Sequence, residues 1–472
     1  MTTETTAVAA RVAAPESAGS QITKALGGNF RQYGMMIALA ALIVLFEVMT
    51  NGLFLQPRNV TSLLIQNGYV LILAIGMVMV IIAGHIDLSV GSVCAFVGAT
   101  VAMSMKLWHL PWPIAILLGI ALGILVGMWQ GFWTAYVGIP AFIVTLAGML
   151  LFRGLDLMIL NAESIVVPED FQKIANGYLP EIGGPGMPYH VITVILTALA
   201  IAAFAWFELR KRADLKKYGM PQPPLWTSVA KIVVVGAVIG LFGMLLASYR
   251  GIPVVGLILF GLVLIYTFVT QRTVLGRHIY AVGGNSNAAR LSGVDTRRVS
   301  FFVMVNMGLL AGVAGMVFTA YLNAANPKDG TGFELDAIAA VFIGGAAVAG
   351  GVGKVSGAMI GGFVMGVLNL GLANLSVDSN WIQIIKGLVL LSAVAFDVMS
   401  KMRGKPSFIG MMMNAFSRNA SVTAEQSPVR AAEAAGPSAV QDVASRHEDD
   451  VPEGVDHKQS VSDSPMRGSE HD

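Results

Sequence analysis

Apolar runs long enough to cross a lipid bilayer constrain this chain more than any other feature of its sequence. A helix needs about 20 apolar residues to span the hydrocarbon layer. Because lipid offers no hydrogen-bond partners, a spanning segment must satisfy its backbone polar groups internally, as a helix does. Runs of this kind lie near 34–54, 61–83, 114–136, 139–160, 190–207, 231–248, 252–270, 300–322, 355–374 and 382–400. The sequence therefore predicts an all-α, polytopic membrane helical bundle.

Two further apolar stretches, 89–105 and 336–350, fall at or below the spanning length and contain glycine. We expect them to form short broken or re-entrant helices, which gives about 10 to 12 passes in all. The composition agrees with a membrane protein, because 55% of the residues are hydrophobic and 12% are charged. Soluble domains carry about 25% charged residues.

Outside the apolar runs, the two ends of the chain differ from its middle. The first run is too long for the core of a signal peptide, so we expect it to be a retained span. Residues 1–33 then form a cytoplasmic extension and residues 34–405 the transmembrane domain. Residues 406–472 are rich in Ala, Ser, Pro, Glu and Asp without apolar periodicity, which predicts a largely disordered acidic tail in the cytoplasm. A regulatory or partner-binding role for this tail stays an alternative to a solvated extension.

Charge between the runs predicts their orientation, since short cytoplasmic loops carry an excess of Lys and Arg. The 208–231 and 271–300 connections are basic, whereas 161–189 is mainly acidic. The basic residues are Arg210, Lys211, Arg212, Lys216, Lys217 and Lys231 in the first connection, and Arg272, Arg277, Arg290, Arg297 and Arg298 in the second. We expect the basic connections and both termini in the cytoplasm, and 161–189 on the outer side.

Motifs for catalysis and nucleotide binding do not match this sequence. The stretch GGVGKVSG at 350–357 is similar to a phosphate-binding loop, but Val348 and Val355 stand where that motif needs Gly and Ser or Thr. The histidines show no metalloprotease spacing, and no nucleophile elbow occurs. The single cysteine, Cys94, lies in an apolar stretch, where packing explains it. We predict no catalytic residue, metal or cofactor, no nucleic-acid partner at a net charge of +2, and an energy source outside this chain.

The 271–300 connection is the best candidate for contact with another protein. Asn287 to Leu291 favour a short helix, and Gly283, Gly284 and Gly293 bracket it as flexible or left-handed turn positions. A short amphipathic helix of this kind docks into a groove of a soluble partner. The alternative is an ordinary basic loop that follows the charge rule alone.

Three stretches carry a family resemblance: GRHIYAVGGNSNAARLSGV in the 271–300 connection, AIGMVMVIIAGHIDLSVGSV at 74–93, and AAVFIGGAAVAGGVGKVSGAMIGGFVMGVLNLGL at 339–372. They resemble, in the same order, the permeases that import ribose, xylose and galactose in ATP-binding cassette (ABC) systems. AGHIDLSVGS and the charged insertion at 208–231 are most similar to the multiple-sugar and xylose subgroup. The resemblance covers roughly residues 34–405, and neither end of the chain has a counterpart.

The resemblance implies a multi-pass permease subunit of the bacterial inner (plasma) membrane, which forms a homodimer in contact with membrane lipid. It would receive a monosaccharide of the xylose, arabinose, galactose or glucose type from an extracytoplasmic sugar-binding protein. Two copies of a separate ATP-binding subunit would bind ATP and drive transport. The coupling helix would then consist of Asn287, Ala288, Ala289, Arg290, Leu291, Ser292 and Gly293. Arg290 suits this role, because a guanidinium pairs as a fork with acidic or carbonyl acceptors.

Asp87 lies between apolar segments, where an ionised carboxylate needs partners. It either caps the following helix, with Ser89 and the nearby amides, or lies on the substrate pathway. His85 is expected at the membrane interface. Loss of folded protein in an Asp87→Asn variant would support the cap, and normal yield with lost transport would support the pathway.

Polar residues inside the apolar runs are candidates for a sugar pathway, since sugars need hydrogen-bonding groups and aromatic faces. The candidates are Gln66, Asn67, Asn306, Asn369 and Asn374, with Tyr69 and Phe363 nearby. Each has the alternative role of hydrogen bonding between helices, worth about 0.6 kcal/mol on average. Glu47 and Lys386 either pair internally or extend to the interface.

Two other classes of protein remain possible on the sequence. An ion-coupled secondary transporter would show carboxylates in the middle of its spans and matched inverted halves, and few such acids occur here. A membrane scaffold would leave the broken helices without a purpose. A branched-chain amino-acid permease of the same superfamily is the nearest alternative on substrate.

Overall fold

The computed structural model describes residues 18–182, 184, 187–220 and 224–401. The predicted tail and most of the predicted N-terminal extension lie outside them. The described residues up to Val398 group as one compact unit, which the following description concerns. Its helices are α1 Ala18–Met49, α2 Pro57–Ile82, α3 Val90–Leu107, α4 Trp112–Phe132 with a π-helical turn Trp133–Val137, α5 Ala141–Leu160, α6 Glu169–Asn176, α7 Val191–Lys217, α8 Leu225–Ala247, α9 Val254–Arg272, α10 Val274–Gly284, α11 Ser286–Leu291, α12 Thr296–Leu322, α13 Phe333–Ile343, α14 Val355–Asn374 and α15 Ser379–Lys401. Two short strands, β1 Ile165–Val166 and β2 Ala324–Ala325, pair antiparallel.

Within the described residues, nine helices are long and apolar enough to cross a membrane. They are α2, α3, α4 with its π-helical turn, α5, α7, α8, α9, α12 and α14. The apolar parts of α1 and α15, Gly34–Met49 and Ser379–Ala395, are shorter. The prediction of an all-α polytopic bundle is confirmed.

Helices α2 and α12 form the centre of the bundle, where α12 packs against α2, α3 and α4. Almost every residue of α2 after Val60 is buried, as expected for a helix that is apolar on all sides. Close packing depends on glycine, as is common between membrane helices. A Cβ on Gly127 of α4 would lie 2.7 Å from the carbonyl oxygen of Met304 in α12. By contrast, α7 and α8 pack mainly on each other and are largely exposed.

The prediction of an interrupted helix at 89–105 is wrong, because α3 is one continuous helix of 18 residues. Its glycines serve close contacts instead of breaks. A Cβ on Gly98 would collide with the Thr319 hydroxyl of α12, and one on Gly91 would collide with the backbone of Gly330. The second prediction of this kind holds, since α13 in the 336–350 region has 11 residues, too few to span.

Both basic connections are more helical than predicted. Helix α7 extends to Lys217, and α8 starts at Leu225, so Lys231 lies inside a helix and pairs with Glu208 at 2.7 Å. Long charged side chains favour helix, which explains why α7 continues past its apolar part. In the second connection α10 runs to Gly284 and α12 starts at Thr296. Gly283 and Gly284 are therefore helical, contrary to the prediction of turn positions.

The chain between α12 and α13 folds back against α3. Asn323 ends α12 with φ +63°, and β2 then pairs with β1. Gly330 and Gly332, with φ +74° and +80°, turn the chain into α13. The backbone of Gly330 rests on Gly91 at the start of α3. Since α12 has 27 residues and is about 40 Å long, this turn and α11 lie near opposite ends of α12.

Candidate functional site

A short, capped helix, α11, presents side chains at one end of the bundle. Asn285 caps it, because its Oδ1 accepts a hydrogen bond from the amide of Ala288 at 2.9 Å. Ala289 is buried and attaches the helix to the bundle. Ser292 follows as the C-cap, and Gly293, with φ +85°, ends the turn in the left-handed region. The predicted residues Asn287 to Leu291 are thus helical, and Gly293 has the predicted turn conformation.

The outer face of α11 combines an exposed apolar residue with an exposed cation. Leu291 is 87% exposed, and Arg290, Asn287 and Ala288 are also exposed. A single exposed leucine is ordinary on a protein surface, but here it stands beside a guanidinium on a rigid, capped helix. Such a surface can insert an apolar side chain into a groove and pair the cation with an acidic rim.

Helix α10 connects α11 to the core of the bundle. Gly283 packs against the carbonyl group of Ile82 at the end of α2, and Gly351 donates its amide hydrogen to the same oxygen at 2.8 Å. Tyr280 donates from its hydroxyl to the carbonyl oxygen of Gly353 at 2.7 Å. A displacement of α11 therefore acts on both α2 and the 344–354 loop.

His85 lies beside a cavity of about 510 Å³ next to α11, together with Thr134, Asn285, Arg297 and Ser300. Its Nε2 forms a hydrogen bond with the Ser300 hydroxyl of α12 at 3.0 Å. Burial lowers the pKa of His85, which favours the neutral ring. Through this hydrogen bond His85 links the 83–89 loop to α12.

Asp87 is buried, and its Oδ1 accepts hydrogen bonds from the amide of Ser89 at 2.8 Å and from the Ser89 hydroxyl at 2.7 Å. The N-cap of α3 is Ser89 itself, so Asp87 does not occupy the predicted capping position and orders the turn before it. Burial raises the pKa of Asp87 to about 6. Gln130 and Thr145, which the sequence analysis did not single out, complete this network: Gln130 donates to the Ser89 hydroxyl at 2.6 Å, and Thr145 accepts from the amide of Leu88 at 3.1 Å.

The five polar residues predicted along a sugar pathway do not meet at one place. Asn67 donates to the carbonyl oxygen of Gly362 at 2.8 Å, and Asn306 accepts from the Tyr266 hydroxyl at 2.5 Å. Both bonds join neighbouring helices and match the alternative of hydrogen bonding within the bundle. Gln66 and Asn374 are exposed, and Asn369 is half-buried.

Three further polar residues have local partners. Lys386 of α15 pairs with Asp336 of α13 at 2.6 Å, which is the internal pairing that the sequence left open. Glu47 accepts from the amide of Leu55 at 2.7 Å. Cys94 is buried, and its thiol donates to the carbonyl oxygen of Ala311 at 3.1 Å. Among the described residues, no group of three or more His, Cys, Asp or Glu is arranged to hold a metal ion.

A second cluster, which the sequence analysis missed, lies where the 326–334 segment meets α3 and α5. Arg153 of α5 donates to the backbone oxygen of Asp329, and its Nη1 lies 3.8 Å from Oδ2 of Asp156. A Cβ on Gly91 of α3 would lie 2.5 Å from Oε2 of Glu334. The sequence did hold a signal, since Arg153 and Asp156 stand inside an apolar run, where charges mark functional positions.

The known proteins that are similar in sequence to this chain are transport permeases. A family model described as branched-chain amino acid transport system / permease component matches residues 59–213 and 187–394. The xylose transport system permease protein of Haemophilus influenzae is 39% identical over 379 residues, which cover 79% of this chain and 97% of that protein. That of Escherichia coli K12 is 39% identical over 399 residues, covering 83% and 98%. The ribose import permease protein of Bacillus subtilis is 32% identical over 373 residues, covering 78% and 94%. No solved structure matches the chain significantly.

Proposed function

The chain belongs to the family of ABC sugar permeases. We propose that it is the membrane subunit of a monosaccharide importer, that α11 couples it to a separate ATPase, and that it carries D-xylose or a related pentose. The family assigns ATP binding to a separate subunit and substrate delivery to a sugar-binding protein. As a multi-pass protein of the inner membrane, this chain supplies the path between them. It is a transport subunit and not an enzyme.

The segment from Asn287 to Gly293, which comprises most of α11, its C-cap Ser292 and the following turn, is the contact with the ATPase. The observation that carries this proposal is the exposure of Leu291, at 87%, beside Arg290 on a helix whose other face is fixed to the bundle by Ala289. Leu291 enters an apolar groove of the ATPase, and Arg290 pairs with acidic or carbonyl groups at its rim. The connection of α10 to Ile82 and Gly351 carries the resulting movement into the bundle.

The contact with the ATPase fixes the orientation of the permease in the membrane. The basic residues of α7 and of α10–α12 support the same orientation. The α11 end faces the cytoplasm, as do both chain termini, and the β1–β2 end faces the sugar-binding protein. Two copies of the permease, surrounded by lipid, engage two ATPase subunits. Residues 34–405 form the permease domain, with cytoplasmic extensions before and after it.

The transported sugar is D-xylose or a related pentose. Support comes from the xylose permeases at 39% identity, ahead of the ribose permeases at 32–33%. The family description also covers branched-chain amino acids, but the relatives named here import sugars. An ion-coupled secondary transporter is not favoured, since these relatives are subunits of ABC systems.

The ATPase contact is tested by reversing its charge and removing its apolar tip. We expect Arg290→Glu and Leu291→Asp each to lower the affinity for the ATPase subunit about thirtyfold, since loss of a central interface residue costs about 2 kcal/mol. Co-purification and ATP-driven uptake of labelled xylose should fall together. The matched control is Arg272→Glu, which changes an exposed arginine outside α11. Wild-type assembly and transport in both variants would refute the proposal.

A further inference from the structure

The cluster around Arg153 contains one of the few buried side chains among the described residues whose acceptor atoms lack a hydrogen-bond partner. Asp156 is fully buried, yet neither of its carboxylate oxygens has a hydrogen-bond donor among the described residues. Arg153 is 3.8 Å away, beyond hydrogen-bond range. Asp87, by comparison, takes two hydrogen bonds from Ser89. A carboxylate offers about four acceptor positions, so Asp156 keeps acceptor capacity that a purely structural role would use.

The remaining groups of the cluster come from separate segments. Asp329 holds its carboxylate in a turn, accepting from the amide of Asn326 at 2.8 Å, while its carbonyl oxygen accepts from Arg153. Glu334 stands at the start of α13, against Gly91 of α3. The guanidinium of Arg153 thus lies near the Asp156 carboxylate of α5 and bonds to the 326–334 segment, which also carries Asp329 and Glu334. Such a convergence in a membrane domain is costly and marks a pathway for polar substrate.

An aromatic wall adjoins these charges. The ring of Tyr69 lies 4.7 Å from that of Phe318 and 4.3 Å from that of Phe333, and the two phenylalanine rings are 4.8 Å apart. Phe333 directly precedes Glu334 at the start of α13, which places the aromatic wall beside the cluster. Apolar rings beside a few convergent polar groups are the usual composition of a small-molecule site.

This combination matches the chemistry of a monosaccharide. A pyranose carries hydroxyl groups that donate to carboxylates and accept from a guanidinium, and its C–H face packs on an aromatic ring. Resting on the proposed function, we propose that Arg153, Asp156, Asp329 and Glu334, with the Tyr69 wall, form a transfer site through which the sugar passes between the binding protein and the centre of the bundle.

The test uses the permease with its ATPase and sugar-binding protein in proteoliposomes, with labelled D-xylose as the probe. We expect Asp156→Asn and Glu334→Gln each to lower the xylose transported per ATP hydrolysed about tenfold or more, as loss of one charge-assisted hydrogen bond predicts. Tyr69→Leu should change the ratio of xylose to ribose transport. The matched control is Asp214→Asn, which neutralises an exposed carboxylate of α7 away from the cluster and from α11 and should leave transport unchanged.

Each other outcome overturns the transfer site in a recognisable way. If wild type imports xylose and the three variants match it in rate and selectivity, the site is wrong while the proposed function stands. A parallel fall of transport and ATP hydrolysis with a lower melting temperature assigns the cluster a structural role. An effect that appears only as altered dependence on Na⁺ or pH assigns it a cation. If wild type with its partners imports no monosaccharide, the proposed function fails as well.

Discussion

Gly283 of α10 allows the closest approach between the proposed ATPase contact and the core, so its substitution by alanine should uncouple the two. A Cβ at this position would lie 2.7 Å from the carbonyl carbon of Ile82 and 2.8 Å from the amide nitrogen of Gly351, with the Ile82 oxygen closer still. Favourable separations between heavy atoms are about 3.5–4.0 Å. To separate the added carbon from the Ile82 oxygen, the α10–α2 contact must open by roughly 1.5–2 Å, which also strains the hydrogen bond from Gly351 to Ile82.

The expected cost of this overpacking is about 1–3 kcal/mol. Backbone atoms surround the added methyl group, so a side-chain rotation cannot relieve it. We expect Gly283→Ala to assemble with the ATPase, because α11 is untouched, and to transport xylose about tenfold more slowly or worse, since 1.4 kcal/mol corresponds to tenfold. The assay is ATP-driven uptake in proteoliposomes, together with co-purification and the melting temperature.

The neighbouring glycine provides a matched control. A Cβ on Gly284 would meet no atom within 4 Å, and Gly284 is helical, so alanine there is neutral or stabilising by up to about 1 kcal/mol. Gly284→Ala should transport at the wild-type rate. Equal transport by the two variants would refute the argument that the α10–α2 contact carries the coupling.

Three further predictions concern stability, measured by thermal unfolding of the purified permease. Lys386→Met leaves Asp336 buried without its partner and should lower the free energy of unfolding by about 3 kcal/mol. The double variant Lys386→Met/Asp336→Leu should recover most of this loss. Equal losses in the two variants would contradict the ion-pair argument. Asp87 has a folded-state pKa of about 6, above its ordinary value of 3.8, so its contribution to stability is fully present below about pH 3.8 and is lost as the pH rises through 6. As the pH rises through this window, the free energy of unfolding of the wild type should fall by about 3 kcal/mol relative to that of Asp87→Asn. A difference between the two proteins that does not change with pH would count against burial as the cause of the raised pKa. Asn67→Ala removes the bond to Gly362 and should cost about 0.6 kcal/mol, with transport retained if the residue only joins α2 to α14.

Hydropathy predicted the spans well because lipid leaves a chain few options. Hydropathy predicted the continuity of the helices less well, since a glycine in an apolar run indicates either a break in the helix or close packing against a neighbouring helix. Gly98 marks close packing between α3 and α12, and the same residue type at Gly330 marks a turn. Only the neighbouring helix distinguishes the two cases, and the sequence does not contain its position.

The short helix α11 and its turn at Gly293 were predictable because their determinants are local. Asn285 and Gly293 lie within a few residues of the helix they bound, and cap geometry follows from such neighbours. The Arg153 cluster was not predictable in this way, because its members are separated by up to 181 positions, from Arg153 to Glu334. Their meeting depends on the return of the chain after α12. The sequence instead predicted asparagines in the spans as candidates for the sugar pathway, although Asn67 and Asn306 have partners in neighbouring helices.

The most direct test of the ABC importer assignment is ATP hydrolysis by the permease reconstituted with its ATPase and sugar-binding protein. We expect xylose-loaded binding protein to stimulate hydrolysis above the sugar-free level, with labelled xylose crossing the membrane only when ATP is present. Xylose uptake that needs no ATPase subunit and collapses when the ion gradient is dissipated would contradict the account.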